Sequence, residues 1–226
     1  MIIPLKLGTI HFPENHPRAR DRRARLQGYV IDHPDGAILV DTGCGTGNEI
    51  IDALYRPDVI DLLDALATAG IDERSVAAIV NTHLHFDHCG QNDRLPGVPV
   101  WVTQAELDTA ASTERYTVPA WADIDHVRQR VAGDGEEIAT GVRLLATPGH
   151  TPGHQSVVVT VFDERPDLIV GQACYSCAEF ADERVADGDL HSAAWREAAR
   201  ASLVRLRSLR PSSAYFSHDS RIYCSP

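Results

Sequence analysis

Apolar residues fall in short runs separated by polar clusters, and the period of their recurrence changes along the chain. The stretches Ile2 to Leu7, Gly28 to Asp32 and Ala37 to Val40 are β-branched and apolar and read as strands. His33-Pro34-Asp35-Gly36 supplies a turn between the last two, so the chain opens as an antiparallel meander. From Val59 to Ala69 the period lengthens: Val59, Leu62, Leu63 and Leu66 share one helical face, with Asp58 as N-cap and Gly70 beyond the end. A buried strand at Val76 to Val80, a short strand at Val98 to Val102, and a helix from Thr103 with Glu106 in capping-box position follow. The second half predicts strands near Val142 to Ala146, Gln155 to Val161 and Leu168 to Val170. A helix then runs from about Leu190 to Leu209, its inner stripe formed by Trp195, Ala199, Leu203 and Leu206. Pro211 stops that helix, and Ala214 to Ser217 returns as a final strand ending at His218. Two halves of meander plus helix predict an α/β architecture of sheets covered by helices. No repeat or Pro/Gly/Ser-rich linker divides it, so residues 1–226 read as one domain.

Composition narrows the class of molecule. A hydrophobic share of 43% and a charged share of 23% exclude a collagenous, low-complexity or wholly disordered chain. Twenty-one Lys and Arg against 32 Asp and Glu leave a net charge of −11, which disfavours nucleic acid or an acidic membrane surface as the main partner. A small-molecule substrate fits better. No apolar run approaches the ~20 residues that span a bilayer. Met1 to Gly8 lacks the basic start of a signal peptide, so a cytoplasmic location is expected. Cys44, Cys89, Cys174, Cys177 and Cys224 are odd in number and scattered, which predicts reduced thiols. The lone Cys174-x-x-Cys177 reads as two small packing residues.

The sharpest chemical signal is Asn81-Thr82-His83-Leu84-His85-Phe86-Asp87-His88, where three imidazoles and a carboxylate directly follow a predicted buried strand. Burying these groups uncompensated is costly, whereas a divalent cation offsets the penalty by coordinating neutral imidazole and charged carboxylate. Thr147-Pro148-Gly149-His150-Thr151-Pro152-Gly153-His154 follows a second apolar strand, and Phe216-Ser217-His218-Asp219 follows the last one. Loops at strand ends are where a rigid scaffold holds catalytic groups.

These motifs, H-x-H-x-D-H with a later Gly-His and a late His, together with Asp41-Thr42-Gly43, resemble the metallo-β-lactamase superfamily. Its acyl-homoserine lactonase branch is the most similar, through His83 to Asn92 and Gly149 to Ser156. The resemblance covers essentially the whole chain and implies an αββα sandwich with a dinuclear site at one edge of the sheets. It assigns His83, His85 and His150 to one metal and Asp87, His88 and His218 to the other, with two Zn2+ expected and iron or manganese as alternatives. It also implies attack by a metal-activated hydroxide on a lactone or ester carbonyl, with Asp87 passing the proton. In that branch a carboxylate bridges both metals, and a Tyr three positions later contacts the substrate carbonyl. Here Tyr175 fits, but the bridging position holds Gln172, which is neutral and cannot offset two cations. Three readings stay open: a dinuclear site with Gln172 as a weak ligand, a mononuclear site on the three-His side, or a metal-binding protein without turnover. A mononuclear iron oxygenase of the persulfide dioxygenase type is the alternative activity.

Other residues read more plainly. His154, just past His150, is expected to support the site rather than to ligate. His11, His16, His33, His126 and His191 show no ligand spacing. The cluster Arg18, Arg20, Arg22, Arg23 and Arg25 reads as a solvated loop, with an anionic substrate or a second subunit of a homodimer as alternatives. Trp101, Trp121 and Tyr116 read as core, with an apolar pocket as the alternative.

Overall fold

The computed structural model describes residues 1–122, 128–161, 164–185 and 192–225. Leu190, His126 and His191 lie outside the described residues. The first sheet is built from β1 (Ile2–His11), β2 (Arg23–Ile31), β3 (Ala37–Val40), β4 (Asp58–Val59), β5 (Val76–Val80), β6 (Val100–Val102) and β7 (Gln129–Val131). Its order is β4-β1-β2-β3-β5-β6-β7, antiparallel from β4 to β3 and parallel from β3 to β7. The second comprises β8 (Glu137–Ala139), β9 (Val142–Ala146), β10 (Gln155–Val159), β11 (Asp167–Gly171), β12 (Ser213–Phe216) and β13 (Tyr223–Cys224). Its order is β13-β12-β11-β10-β9-β8, with β11 and β12 parallel and the other pairs antiparallel.

Side-chain alternation makes the layers. In β3, Ile38 and Val40 pack with Val80, Leu144, Val157 and Ile169 between the sheets, whereas Ala37 and Leu39 face a second cluster containing Leu62 and Leu66. In β10, Val157 and Val159 face inward, while Val158 packs with Leu203 and Leu206 on the outer face. Strands buried on both faces read as unbroken apolar runs, which is why they were legible. The helices are α1 (Glu49–Tyr55), α2 (Leu62–Thr68), α3 (Phe86–Cys89), α4 (Gln104–Ser112), α5 (Pro119–Ala122), α6 (Cys177–Ala181) and α7 (Ala193–Ser208). With α2 outside one sheet and α7 outside the other, the expected αββα sandwich is present. Among the described residues no helix is long and apolar enough to cross a membrane.

Several boundaries differ from expectation for identifiable reasons. The N-cap of α2 is Asp61, whose carboxylate accepts from Leu63 N–H at 2.9 Å, and not Asp58. Asp58 instead pairs with Thr9 in β4. That pairing depends on Gly8, where a Cβ would lie 2.1 Å from the Asp58 carbonyl oxygen. Helix α1, capped by Asn48, departs from the expected pattern, because it buries only Ile51 and leaves Ile50 and Leu54 exposed. The last long helix starts at Ala193, capped by Ser192, and its Trp195 lines a large surface cavity instead of the core. Val161 is exposed beyond the end of β10.

Candidate metal centre

Every predicted ligand lies at one edge of the sandwich, on segments that leave strand ends, with Asp87 and His88 on the short helix α3. His83, His85, Asp87 and His88 follow β5, His150 and His154 join β9 to β10, Gln172 follows β11, and His218 follows β12. Hydrogen bonds lace the two sheets together here: Gln155 N–H donates to the Thr82 carbonyl at 2.8 Å and Gln27 N–H to the Ser217 carbonyl at 3.1 Å. The Gln155 side-chain amide adds a bond to the Asn81 carbonyl at 2.9 Å.

Two sets of donors converge side by side, His83 with His85 and His150, and Asp87 with His88 and His218. In the first, His83 Nε2 lies 3.0 Å from His85 Nδ1, which lies 3.1 Å from His150 Nε2. Three nitrogens each about 2.0–2.1 Å from one tetrahedral ion stand roughly 3.3 Å apart, so the spacing is close to that of a metal site. In the second, Asp87 Oδ2 lies 3.6 Å from His88 Nε2 and 3.8 Å from His218 Nε2. His88 Nε2 and Gln172 Oε1 are buried without a partner among the described residues. Orphaned buried atoms of this kind are costly, and a cation satisfies both. His150 Nδ1 is also without a partner, and a cation at Nε2 does not account for it.

The ring orientations are set by the groups behind them. Asp41 Oδ2 accepts from His88 Nδ1 at 2.8 Å and from the Thr82 hydroxyl at 2.9 Å, while its Oδ1 accepts from Thr82 N–H at 2.8 Å. Because the Thr82 hydroxyl donates to Asp41, it accepts from His83 Nδ1 at 3.1 Å. His218 Nδ1 donates to the Arg25 carbonyl at 2.6 Å. In all three histidines the proton therefore sits on Nδ1 and the Nε2 lone pair faces the centre. Asp41 holds a left-handed backbone, φ 59°, which is uncommon outside glycine and is fixed here by the bonds to its carboxylate.

Sequence reasoning missed the full part that two supporting residues play. Glu106 sits three residues past the Thr103 cap, but its carboxylate does not return to the helix start. Buried, it accepts from Leu84 N–H at 2.8 Å, from the Thr151 hydroxyl at 2.7 Å, and from the Tyr116 hydroxyl, so it pins both histidine loops from behind. His154 supports the site as expected, and does so by holding a backbone amide: its Nε2 accepts from Gln172 N–H at 3.0 Å. Its Nδ1 must then donate to the Thr147 hydroxyl at 2.8 Å, which donates to Ser156, which donates to the Val170 carbonyl. This chain clamps the backbone on both sides of Gly171 (φ 66°), where a Cβ would lie 2.8 Å from His154 Nε2. A residue with a side chain at 171 would therefore push the imidazole away from Gln172.

Burial, reinforced by the neighbouring imidazoles, holds His83 and His150 well below the ordinary histidine range. Burial also holds His218 down to about 4 and His154 down to about 3. For His88 burial acts the same way, but Asp87 and Asp41 outweigh it and raise the value. For Asp87 burial favours the acid, and His88, His218 and His85 outweigh it and hold the carboxyl low. Histidines depressed in the fold bind protons more readily when unfolded, so their contribution is present above about 6.5 and lost as pH falls towards 4; His88, whose value is raised, opposes this. The metal-free protein is therefore expected to lose stability between pH 7 and pH 5, by about 2 kcal/mol from His218 alone. Denaturant midpoints at the two pH values measure it, and an unchanged midpoint contradicts it.

The donors form the floor of a cavity of about 680 Å³, reached by His85, Asp87, His150, Gln172 and His218. Ile10, Phe12, Tyr55 and Phe86 line one wall, and Thr109, Ser112, Thr113 and Tyr116 line another. Tyr116 thus faces the cavity, Trp121 lines a separate one, and Trp101 packs against the core between the sheets. Tyr175 lies against the centre, its ring stacked on His218 at 5.2 Å and edge-on to His150 at 6.0 Å. It lines a neighbouring cavity of about 240 Å³ that shares Phe12 and His218 with the larger one. Cys174 is buried and Cys177 half-buried; both are free thiols.

The model of the metallo-beta-lactamase superfamily matches residues 27–218, which include both donor sets. The chain belongs to this superfamily. It is 30% identical over 167 residues to an N-acyl homoserine lactonase of Bacillus sp, covering 69% of this chain and 66% of that protein. The aligned region thus spans a little under two thirds of that relative's length. Over 216 residues it is 26% identical to the N-acyl homoserine lactonase AttM of Rhizobium radiobacter, covering 83% of this chain and 79% of the relative. A solved N-acyl homoserine lactone hydrolase, with the product N-hexanoyl-L-homoserine at its catalytic metal centre, superposes with a TM-score of 0.77 at 25% identity. That match covers 97% of this chain and 92% of the other. In this metallo-beta-lactamase fold the donor types and their spacing fit a divalent metal cofactor.

Proposed function

We propose that this superfamily member is a metal-dependent hydrolase that opens a lactone ring, with N-acyl homoserine lactones as its substrate class. The observation that carries the reading is the pair of donor sets at one cavity, whose lining includes His85 and His150 of the first set and Asp87 and His218 of the second. The lactonases among its relatives support the substrate class. Two zinc ions suit imidazole and carboxylate donors. His83, His85 and His150 would hold one, and Asp87, His88 and His218 the other, with Gln172 Oε1 as a neutral and weak further ligand. Bound, such ions supply Lewis acidity towards a carbonyl and bring the pKa of coordinated water from 15.7 down to about 7.

The rest of the chemistry falls to side chains of this chain. Asp87, whose carboxyl is held below the ordinary carboxylate value, accepts a proton and returns it to the leaving alkoxide. Tyr175, whose ring stacks on His218, would donate from its hydroxyl to the oxygen of the carbonyl under attack. The wall of Ile10, Phe12, Tyr55 and Phe86 takes an apolar acyl chain away from water. A lactone suits the arrangement because its leaving group stays tethered after ring opening.

Gln172 favours one second reading, a single iron on the three-histidine set serving an oxygenase of the persulfide dioxygenase type. Proton release and O2 uptake, each followed on a zinc-loaded and on a ferrous-iron-loaded sample supplied with lactone or with persulfide, separate the two. The hydrolase releases one proton per lactone opened and takes up no O2. Persulfide-dependent O2 uptake without ring opening would overturn it.

A further inference from the structure

Between β1 and β2 the chain makes a strap, residues 12–22, that wraps the mouth of the site. Phe12, His16 and Pro17 of the strap line the larger cavity, and Arg18 lines the smaller one beside Tyr175. The Phe12 and His16 rings stack at 4.2 Å, which stiffens the strap just before Arg18. Within the arginine cluster Arg18 stands apart: Arg20, Arg22, Arg23 and Arg25 are exposed, whereas only 17% of the Arg18 side chain is.

The Arg18 guanidinium lies over the Tyr175 ring, 3.9 Å from its centroid. Its Nε donates to Asp21 Oδ2 at 2.7 Å within the strap. Its Nη1 lies 3.6 Å from Oε1 of the buried Glu179, on the first turn of α6. That helix is capped by Ser176, the residue after Tyr175, whose hydroxyl accepts from Glu179 N–H at 3.2 Å. One planar cation thus ties the strap, the Tyr175 ring and the start of α6 together, while the same ring stacks on His218.

We propose that Arg18 is the positioning residue for Tyr175, fixing the ring so that its hydroxyl meets the substrate carbonyl. The proposal rests on the catalytic reading of Tyr175. A guanidinium can stack on an aromatic face and address two carboxylates at once, whereas an ammonium on a flexible stem offers a point charge. Lysine at this position therefore keeps the ion pair and loses the flat contact with the ring.

The test uses the full zinc-loaded chain as wild type, Arg18→Met, Arg18→Lys, Tyr175→Phe and the double variant Arg18→Met/Tyr175→Phe, assayed on an N-acyl homoserine lactone. Arg18→Met is expected to lower kcat by about 10- to 100-fold with KM changed by less than about threefold, as befits a misplaced group. Arg18→Lys falls between Arg18→Met and wild type, and guards against a Met variant that does not fold. In the Tyr175→Phe background the Met substitution adds less than about a twofold further loss, because the hydroxyl it positioned is gone. Carbon-13 tyrosine NMR on the metal-free protein supplies a readout independent of turnover. The Tyr175 ring signal, assigned by its absence in Tyr175→Phe, shifts in Arg18→Met while the signals of the other tyrosines stay in place.

An equal loss in both backgrounds, or an unmoved Tyr175 signal with wild-type kcat, overturns the proposal and leaves Arg18 a structural ion pair. The underlying reading fails separately: Tyr175→Phe would then turn over like wild type, and the proposal would fall with it. Impaired Tyr175→Phe beside an unimpaired Arg18→Met sinks the proposal alone.

Discussion

Replacing Asp87 with Asn is expected to slow lactone opening by about 10²- to 10⁴-fold while the protein stays folded. Asp87 is buried, and its Oδ2 lies 3.6 Å and 3.8 Å from the Nε2 atoms of His88 and His218. Asparagine has the same shape, so packing at this position is kept. It carries no charge, cannot hold the transferred proton, and is a poorer metal ligand, so the second donor set loses its only anion. Initial rates of proton release at saturating lactone measure the loss, with circular dichroism as the check on folding. Turnover within about threefold of wild type would remove Asp87 from the proposed proton path.

Gln172→Asp is expected to tighten binding of the second zinc at least tenfold, about 1.4 kcal/mol. Gln172 is buried, its Oε1 has no partner among the described residues, and its backbone is clamped by His154, so a substitution there acts through the side chain, here through its new charge and its reach shorter by one methylene. A carboxylate offsets cationic charge that the amide leaves in place. Without metal the same carboxylate is a further buried anion lining the cavity that Asp87 lines, so the metal-free variant is expected to be less stable than wild type. Calorimetric zinc titration gives the affinity, and denaturation with and without zinc gives the crossover. Equal second-site affinity in the two proteins would show that residue 172 does not face the metals.

The strand frame was legible because β3, β5 and β10 are buried on both faces and read as apolar runs. His83, His85, Asp87 and His88 stood out because four polar groups directly after a buried strand have no bland explanation. Local signals misled where two residues compete for one role, as Asp58 and Asp61 do for the cap of α2. Weak amphipathicity hid α1, whose exposed Ile50 and Leu54 break any apolar stripe. The groups behind the ligands were the least legible. Glu106 fits a capping box by spacing, and only the approach of Leu84, Thr151 and Tyr116 shows that it anchors the site. Arg18 looked like one member of a solvated cluster, since its partners Tyr175 and Glu179 lie far along the chain and no periodicity connects them.

Stripping the protein with a chelator and adding zinc back in counted equivalents shows whether these donor sets make a lactone hydrolase. Proton release from an N-acyl homoserine lactone is followed at each step. No turnover is expected without metal, and turnover should rise through the second equivalent as the weaker site beside Gln172 fills. Turnover that persists in the stripped protein, or lactone left intact at every zinc level, would contradict the hydrolase reading.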